Sequence, residues 1–213
     1  MINMDQLREF VKTGKAKETA EQVQTLLDNG QKPDAIMKEG LIPAMDEVGD
    51  LFQKGEYFVP EMLVAARAMQ KGLEILKPKL IDSGIEPIGK VLVGTVKGDL
   101  HDIGKNLVAM ALECAGFEVI DLGADVPTEK FVKAIKEHSP QVVGMSALLT
   151  TTMLAMKDTI KAISAAGLRD RVKIMIGGAP IRQEYCDEIG ADYYGPDSTS
   201  ARTFARDVVT GEA

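Results

Sequence analysis

The segment GTVKGDLHDIGKNL, residues 94–107, sets Asp99, His101 and Asp102 among Gly94, Gly98 and Gly104, between a strand-like run and a helix-like run. The chain has only two histidines, so one of them on a glycine-rich loop invites a chemical reading. A carboxylate two residues from an imidazole can accept its Nδ1 proton. That fixes the tautomer, raises the basicity of the ring and leaves Nε2 free to bind a metal or move a proton. Asp102 offers the same carboxylate chemistry but stands where a helix begins, so it is expected to cap that helix. Too few protein ligands surround His101 for a closed zinc site, which needs four, so a metal here is expected to arrive with other ligands already attached. The second histidine, His138, falls at a predicted helix end and reads as a solvated terminal residue.

These glycines do not form a GxGxxG fingerprint, which argues against a dinucleotide site. They suit tight turns and close helix–strand packing as readily as close approach to a ligand. Gly177-Gly178 ends an otherwise bulky strand, either as a simple turn or as a slot for a flat group. Ser146, Thr150, Thr151 and Thr152 place hydroxyls at another strand end, with Thr150 or Thr151 expected to cap the next helix.

Alternating elements position these residues. Candidate strands are 90–96, 117–123, 141–148, 172–178 and 191–195, and candidate helices are 103–115, 128–138, 151–166, 181–189 and 198–210. Strands that are apolar on both faces imply a doubly wound, five-stranded parallel sheet of flavodoxin or Rossmann-like type, with helices on each side and strand order 2-1-3-4-5. Ligands bind such sheets beyond the carboxyl ends of the strands, where the order reverses. The loops after the first, third and fourth strands carry KGDLHDIG, SALLTTT and GGAP, and they are expected to line one crevice there.

The N-terminal part has a different period. Met37, Leu41, Met45, Val48 and Phe52, then Met62, Ala65, Met69, Leu73, Leu76 and Leu80, recur at steps of three and four, as one face of a helix does. Leu7, Phe10 and Val11, then Ala20, Val23 and Leu27, suggest two more helices, so residues 1–82 are expected to form an antiparallel four-helix bundle. Pro43 should break or kink the third helix near Gly40–Pro43. The Gly- and Pro-bearing segment 83–89 reads as a linker, which leaves 90–213 as the second domain.

Composition narrows the function classes. A net charge of −7 without a Lys/Arg block argues against nucleic acid, and no apolar run approaches the length needed to span a membrane. The first residues carry charges throughout, with no signal-peptide pattern, and Cys114 and Cys186 lie outside any CxxC spacing. A cytoplasmic protein with reduced thiols is expected.

Taken together, Asp99-x-His101-x-x-Gly104, Ser146-x-Leu148 and Gly177-Gly178 resemble the cobalamin-binding module shared by cobalamin-dependent methionine synthase, corrinoid methyl-carrier proteins and adenosylcobalamin mutases. The stretch GLIPAMDEVGDLFQKGEYFVPEMLVAARAM is similar to the helical cap of the methyltransferase branch. The resemblance implies a cobalamin or related corrinoid bound base-off, with His101 as the lower cobalt ligand through Nε2 and Asp99 on its other nitrogen. Thr152 would continue the relay where methionine synthase has a serine. Gly98, Asp102 and Gly104 would meet the cofactor, Ser146, Leu148, Thr150, Gly177 and Gly178 would line its displaced nucleotide tail, and Phe52, Val59 and Met62 would face it from the cap.

The implied function is a methyl carrier rather than a complete catalyst. It would work between a substrate-specific methyltransferase, acting on a methoxyaromatic, methylamine, betaine or methanol donor, and a second methyltransferase loading tetrahydrofolate or a thiol. A reductive activase would be a further partner. Overall resemblance leans toward methoxyaromatics or quaternary amines as donors. The alternative is the cobalamin-binding subunit of an adenosylcobalamin-dependent mutase, which residues 1–82 disfavour because such enzymes cover the cofactor with a barrel.

Overall fold

A computed structural model describes residues 4–82 and 86–212. The chain divides into two compact units, Met1–Glu86 and Pro87–Ala213. The linker expected at 83–89 lies partly on residues 83–85, outside the described residues.

The first unit is helical: α1 (Met4–Lys12), α2 (Ala16–Asp28), α3 (Pro33–Ala35), a π-helical segment (Ile36–Leu41), α4 (Ile42–Gln53) and α5 (Val59–Asp82). The periodic residues of α5 from Met62 to Leu80 are all buried, as are Met37, Leu41, Met45 and Val48, whereas Phe52 is half-buried. In α2 the buried stripe is Thr19, Val23 and Leu26, one position off the expected Ala20 and Leu27, which stay half-buried.

Pro43 does not break its helix. Without an N–H it leaves the Glu39 carbonyl without a helical donor. Arg8 of α1 fills that place, donating from Nε and Nη2 at 2.8 and 2.6 Å. Just ahead of the proline the ladder widens by one residue, with the Ile42 N–H reaching the Met37 carbonyl. The irregularity expected near Gly40–Pro43 is therefore absorbed as a π-helical turn in a chain that stays helical.

The second unit is a parallel sheet in the order β2-β1-β3-β4-β5, as the strand pattern implies. Its strands are β1 (Lys90–Thr95), β2 (Glu118–Asp121), β3 (Val142–Ser146), β4 (Lys173–Gly177) and β5 (Tyr193–Tyr194). Alternate strand residues feed two cores. Val91, Val93, Val142 and Met175 pack with residues of α6 (Ile103–Cys114) and α10 (Ser198–Thr210). Leu92, Val143, Met145, Ile174 and Ile176 pack with those of α7 (Thr128–His138), α8 (Met153–Ala165) and α9 (Gln183–Ile189). Sheet-edge β5 is shorter than the expected 191–195, and just ahead of it the Asp192 carboxylate takes the Ile174 N–H at 2.8 Å. Both cysteines are free and buried, and burial pushes the Cys114 thiol up to about 12.

Candidate functional site

β1 ends at Thr95, in register with Ser146 of β3 and, through it, with Gly177 of β4. The loops that follow β1 and β3 meet on the side chain of Asp99, which is completely buried. Its Oδ1 accepts from the His101 backbone N–H at 3.0 Å and pairs with His101 Nδ1 at 2.7 Å. Its Oδ2 accepts from the amides of Leu148 and Leu149 at 2.8 and 3.3 Å and from the Thr152 hydroxyl at 2.7 Å.

Burial alone would raise the Asp99 carboxyl, but bonds from the Thr152 hydroxyl, the His101 and Leu148 amides and the His101 ring outweigh it. They hold the group well below the usual carboxylate range. An ionised Asp99 is an acceptor only, so the imidazole facing it carries its proton on Nδ1. Nε2 then has the free lone pair, on a side chain that is 52 % exposed.

The sequence anticipated Asp99, His101 and Thr152, and the structure brings them into one hydrogen-bonded chain. Two capping expectations are corrected. Thr152, not Thr150 or Thr151, is the N-cap residue of α8, and its hydroxyl goes to Asp99 instead of to the helix. Thr150 and Thr151 are exposed. Asp102 does occupy the N-cap position of α6, but its side chain makes no capping bond; only its carbonyl enters the helix, accepting from Asn106 at 2.8 Å. The half-buried His138 ends α7 and takes no part in the cluster.

Two glycines behave differently. At Gly178, φ is +128° and an added Cβ would lie 1.9 Å from the Ala147 carbonyl oxygen, so the β3 and β4 ends can approach only through a glycine. At Gly104 an added Cβ would meet nothing within 4 Å, which leaves a smooth surface on the first turn of α6. Around His101 the loops expose apolar side chains: Leu100 and Ile103 on one side, Leu148, Leu149 and Leu154 from the β3–α8 region. Exposed leucines beside a nitrogen with a free lone pair suit a large, mostly apolar group better than a hydrated ion. Among the described residues no three His, Cys, Asp or Glu side chains form a group that could hold a metal ion by themselves.

Phe52, Val59 and Met62 belong to the helical unit, where Met62 is buried, Phe52 half-buried and Val59 exposed beside Phe58, Leu63 and Val64. Pattern reading missed a fourth loop, β2–α7. There Asp125 accepts from the Gly98 N–H at 2.7 Å and donates its own N–H to the Asp99 carbonyl at 2.9 Å. The signal available was modest: an aspartate in GADVP, a residue type that tolerates left-handed turns. No described helix is long and apolar enough to cross a membrane.

Comparison with known proteins adds an independent line. Residues 89–203 match a family model described as a B12 binding domain, and residues 4–77 match a second model with the same description. The chain is 43 % identical over 192 residues to trimethylamine corrinoid protein 1 of Methanosarcina acetivorans, covering 89 % of each chain. Its structure aligns with a cobalamin-binding protein from Desulfitobacterium hafniense DCB-2 at a TM-score of 0.81 and 31 % identity, over 98 % of this chain and 99 % of that one. It also aligns with the methanol:cobalamin methyltransferase complex of Methanosarcina barkeri at a TM-score of 0.85 and 29 % identity, over 96 % of this chain and 78 % of that one.

Proposed function

This chain belongs to the B12-binding family, and on that premise we propose that it carries a methyl group on a bound corrinoid. It takes the group from a substrate-specific methyltransferase and delivers it to a second one that loads tetrahydrofolate or a thiol. The main support is one carboxylate: Asp99, fully buried, commits His101 Nδ1 and leaves the Nε2 lone pair free on a half-exposed ring beside exposed leucines. The bound corrinoid supplies the cobalt on which the methyl group travels.

In this reading His101 is the lower ligand, replacing the cofactor's own base, and Asp99 with Thr152 holds the ring and its proton. Gly98, Asp102 and Gly104 stand on the loop and first helical turn beside His101. Ser146, Leu148, Thr150, Gly177 and Gly178 lie at the ends of β3 and β4 and would receive the displaced tail. The part assigned to Phe52, Val59 and Met62, covering the opposite face, rests on resemblance alone. The proposed domain division, a helical cap at 1–82 and a cofactor domain at 90–213, agrees with two separate family matches.

Similarity to a trimethylamine corrinoid protein favours a methylamine over the other donors as the source of the methyl group. One aligned structure is a methanol:cobalamin methyltransferase complex, which supports a methyltransferase as docking partner. A reductive activase completes the partner set. On this reading the chain is one component of a methyltransferase system and turns nothing over alone. A mutase subunit is disfavoured, because the helical unit carries its own family match.

Reconstitution of the full-length protein with hydroxocobalamin tests the reading. Wild type should emerge coloured, and His101→Ala should bind the same cofactor with a shifted visible spectrum. Loaded wild type, once reduced to the cobalt(I) state by a low-potential chemical reductant such as titanium(III) citrate, should then transfer methyl groups from trimethylamine to a thiol only when both methyltransferases are present. Protein that stays colourless would dispose of the carrier function, and an unchanged spectrum in His101→Ala would remove the ligand assignment.

A further inference from the structure

Two residues other than glycine draw notice on backbone grounds, and only one of them is at the site. Among the described residues the non-glycine positions with positive φ are Asp125, at +50°, and Ser139, at +49°. Ser139 is the C-cap of α7, where a left-handed residue commonly ends a helix. Asp125 ends no helix. It sits in the β2–α7 loop, and its left-handed turn lets one residue make two bonds to the histidine loop.

Those bonds have a common target. Asp125 Oδ1 accepts from the Gly98 N–H at 2.7 Å, and the Asp125 N–H donates to the Asp99 carbonyl at 2.9 Å. On either side, the Gly123 carbonyl accepts from Thr95 at 2.9 Å and the Val126 N–H donates to the Thr95 carbonyl at 3.0 Å. The main chain just before His101 is thus held by one neighbouring loop, while the Asp99 carboxylate is held by another, β3–α8.

The far side of His101 is tied to the same strand. Lys105, in the first turn of α6 and 3 % exposed at its side chain, forms an ion pair with Asp121 at the end of β2. Asp121 in turn accepts from the Gly123 N–H at 2.8 Å. Residues 98–105 are therefore bracketed at both ends by the end of β2 and its loop, with the imidazole between the two ties.

We propose that Asp125 is a positioning residue for His101: its carboxylate, held by a left-handed turn against the Gly98 amide, sets the path of the loop and hence the reach of the ring. A histidine on a free loop would sample many positions, and only a fraction would suit a ligand of fixed geometry. Asp125 raises that fraction without touching the cofactor. The inference rests on the proposed role of His101 as cobalt ligand, and the test separates the two.

The full-length protein is prepared with 15N-labelled histidine, loaded with hydroxocobalamin and reduced to its paramagnetic cobalt(II) form. In wild type the electron paramagnetic resonance lines should split into doublets from one 15N. Triplets there would mean that the cofactor's own base is the ligand, and the parent reading would fail. With doublets established, Asp125→Gly fits the left-handed turn but lacks the carboxylate, whereas Asp125→Asn keeps an acceptor oxygen. Asp125→Gly should lower the ratio of nitrogen-ligated to unligated cobalt by about fivefold or more, the worth of one hydrogen bond, and Asp125→Asn should restore most of it.

A second measurement needs no cofactor. In the apoprotein the downfield proton on His101 Nδ1, hydrogen-bonded to Asp99, should exchange with solvent faster in Asp125→Gly than in wild type or Asp125→Asn. Equal ligation ratios, or equal exchange rates if Asp125→Gly binds no cobalamin, across all three proteins would overturn the proposal.

Discussion

The two units organise their candidate functional residues by opposite means. In the sheet unit the decisive groups are polar, and each position is set by directional bonds: Asp99 accepts from two backbone loops, a hydroxyl and an imidazole. In the helical unit the corresponding residues are apolar: Met62 lies on a helical stripe packed on its neighbours, Phe52 is half-buried and Val59 is exposed. Hydrogen bonds specify distance and angle to a fraction of an ångström, whereas apolar contact specifies mainly which face turns inward. The sheet unit should therefore respond sharply to single-atom changes and the helical unit mainly to lost volume.

Gly178→Ala should show the largest effect. Its Cβ would sit 1.9 Å from a backbone oxygen, at a φ of +128° that disfavours any side chain. Loss of more than about 3 kcal/mol is expected in urea unfolding. Gly104→Ala provides the contrast, since its Cβ meets open space in a helix. It should raise stability by about 0.5–1 kcal/mol. Similar losses at both positions would show that the β3–β4 ends are more yielding than their geometry implies.

Met62→Ala comes next, as a test of the helical side. Met62 is 6 % exposed, and its loss should cost about 2–4 kcal/mol by denaturant titration. Val59→Ala, at a position 40 % exposed, should cost less than about 0.5 kcal/mol. Equal costs would contradict the one-sided packing of α5.

Asp99→Asn changes one oxygen to an amide nitrogen. Whichever way it is turned, the new NH2 faces donors that previously met a carboxylate, and about 2–3 kcal/mol should be lost. The pH dependence has a definite sign. A carboxyl whose folded value lies below its ordinary 3.8 contributes stability that is fully present above that pH and disappears as pH falls through the lower, folded value. Acid titrations of wild type should therefore show extra stability above about pH 4 that Asp99→Asn lacks, and parallel curves would rule out this source.

Arg8→Ala should have the smallest of these polar effects, about 1 kcal/mol in thermal or urea unfolding. The Glu39 carbonyl beside Pro43 loses two donors but has partial access to water in their place. A null result would mean that water satisfies that carbonyl as well as the guanidinium does.

Much of this was readable in the linear order of residues. Steps of three and four from Met62 to Leu80 predict the buried face of α5, because a helix returns to the same side at that interval. Bulky strands between helices predict the parallel sheet, and the switch-point rule brings the loops bearing Asp99, Ser146 and Gly177 to one edge. Element ends were less readable, because tertiary bonds draw them: Thr152 bonds to Asp99 instead of capping α8, and Arg8 keeps a proline-bearing segment helical.

Residue types and their spacing by themselves determined the two-part layout, the strand order and the pairing of Asp99 with His101, since these depend on periodicity and on groups two positions apart. Only the tertiary structure decided that Asp99 is fully enclosed, that Oδ2 gathers the β3–α8 loop, and that Asp125 and the Lys105–Asp121 pair brace the histidine from β2. The physical reason is distance along the chain. A hydrogen bond between residues tens of positions apart leaves no period in the sequence, and it becomes visible only once the sheet has brought both partners to the same edge.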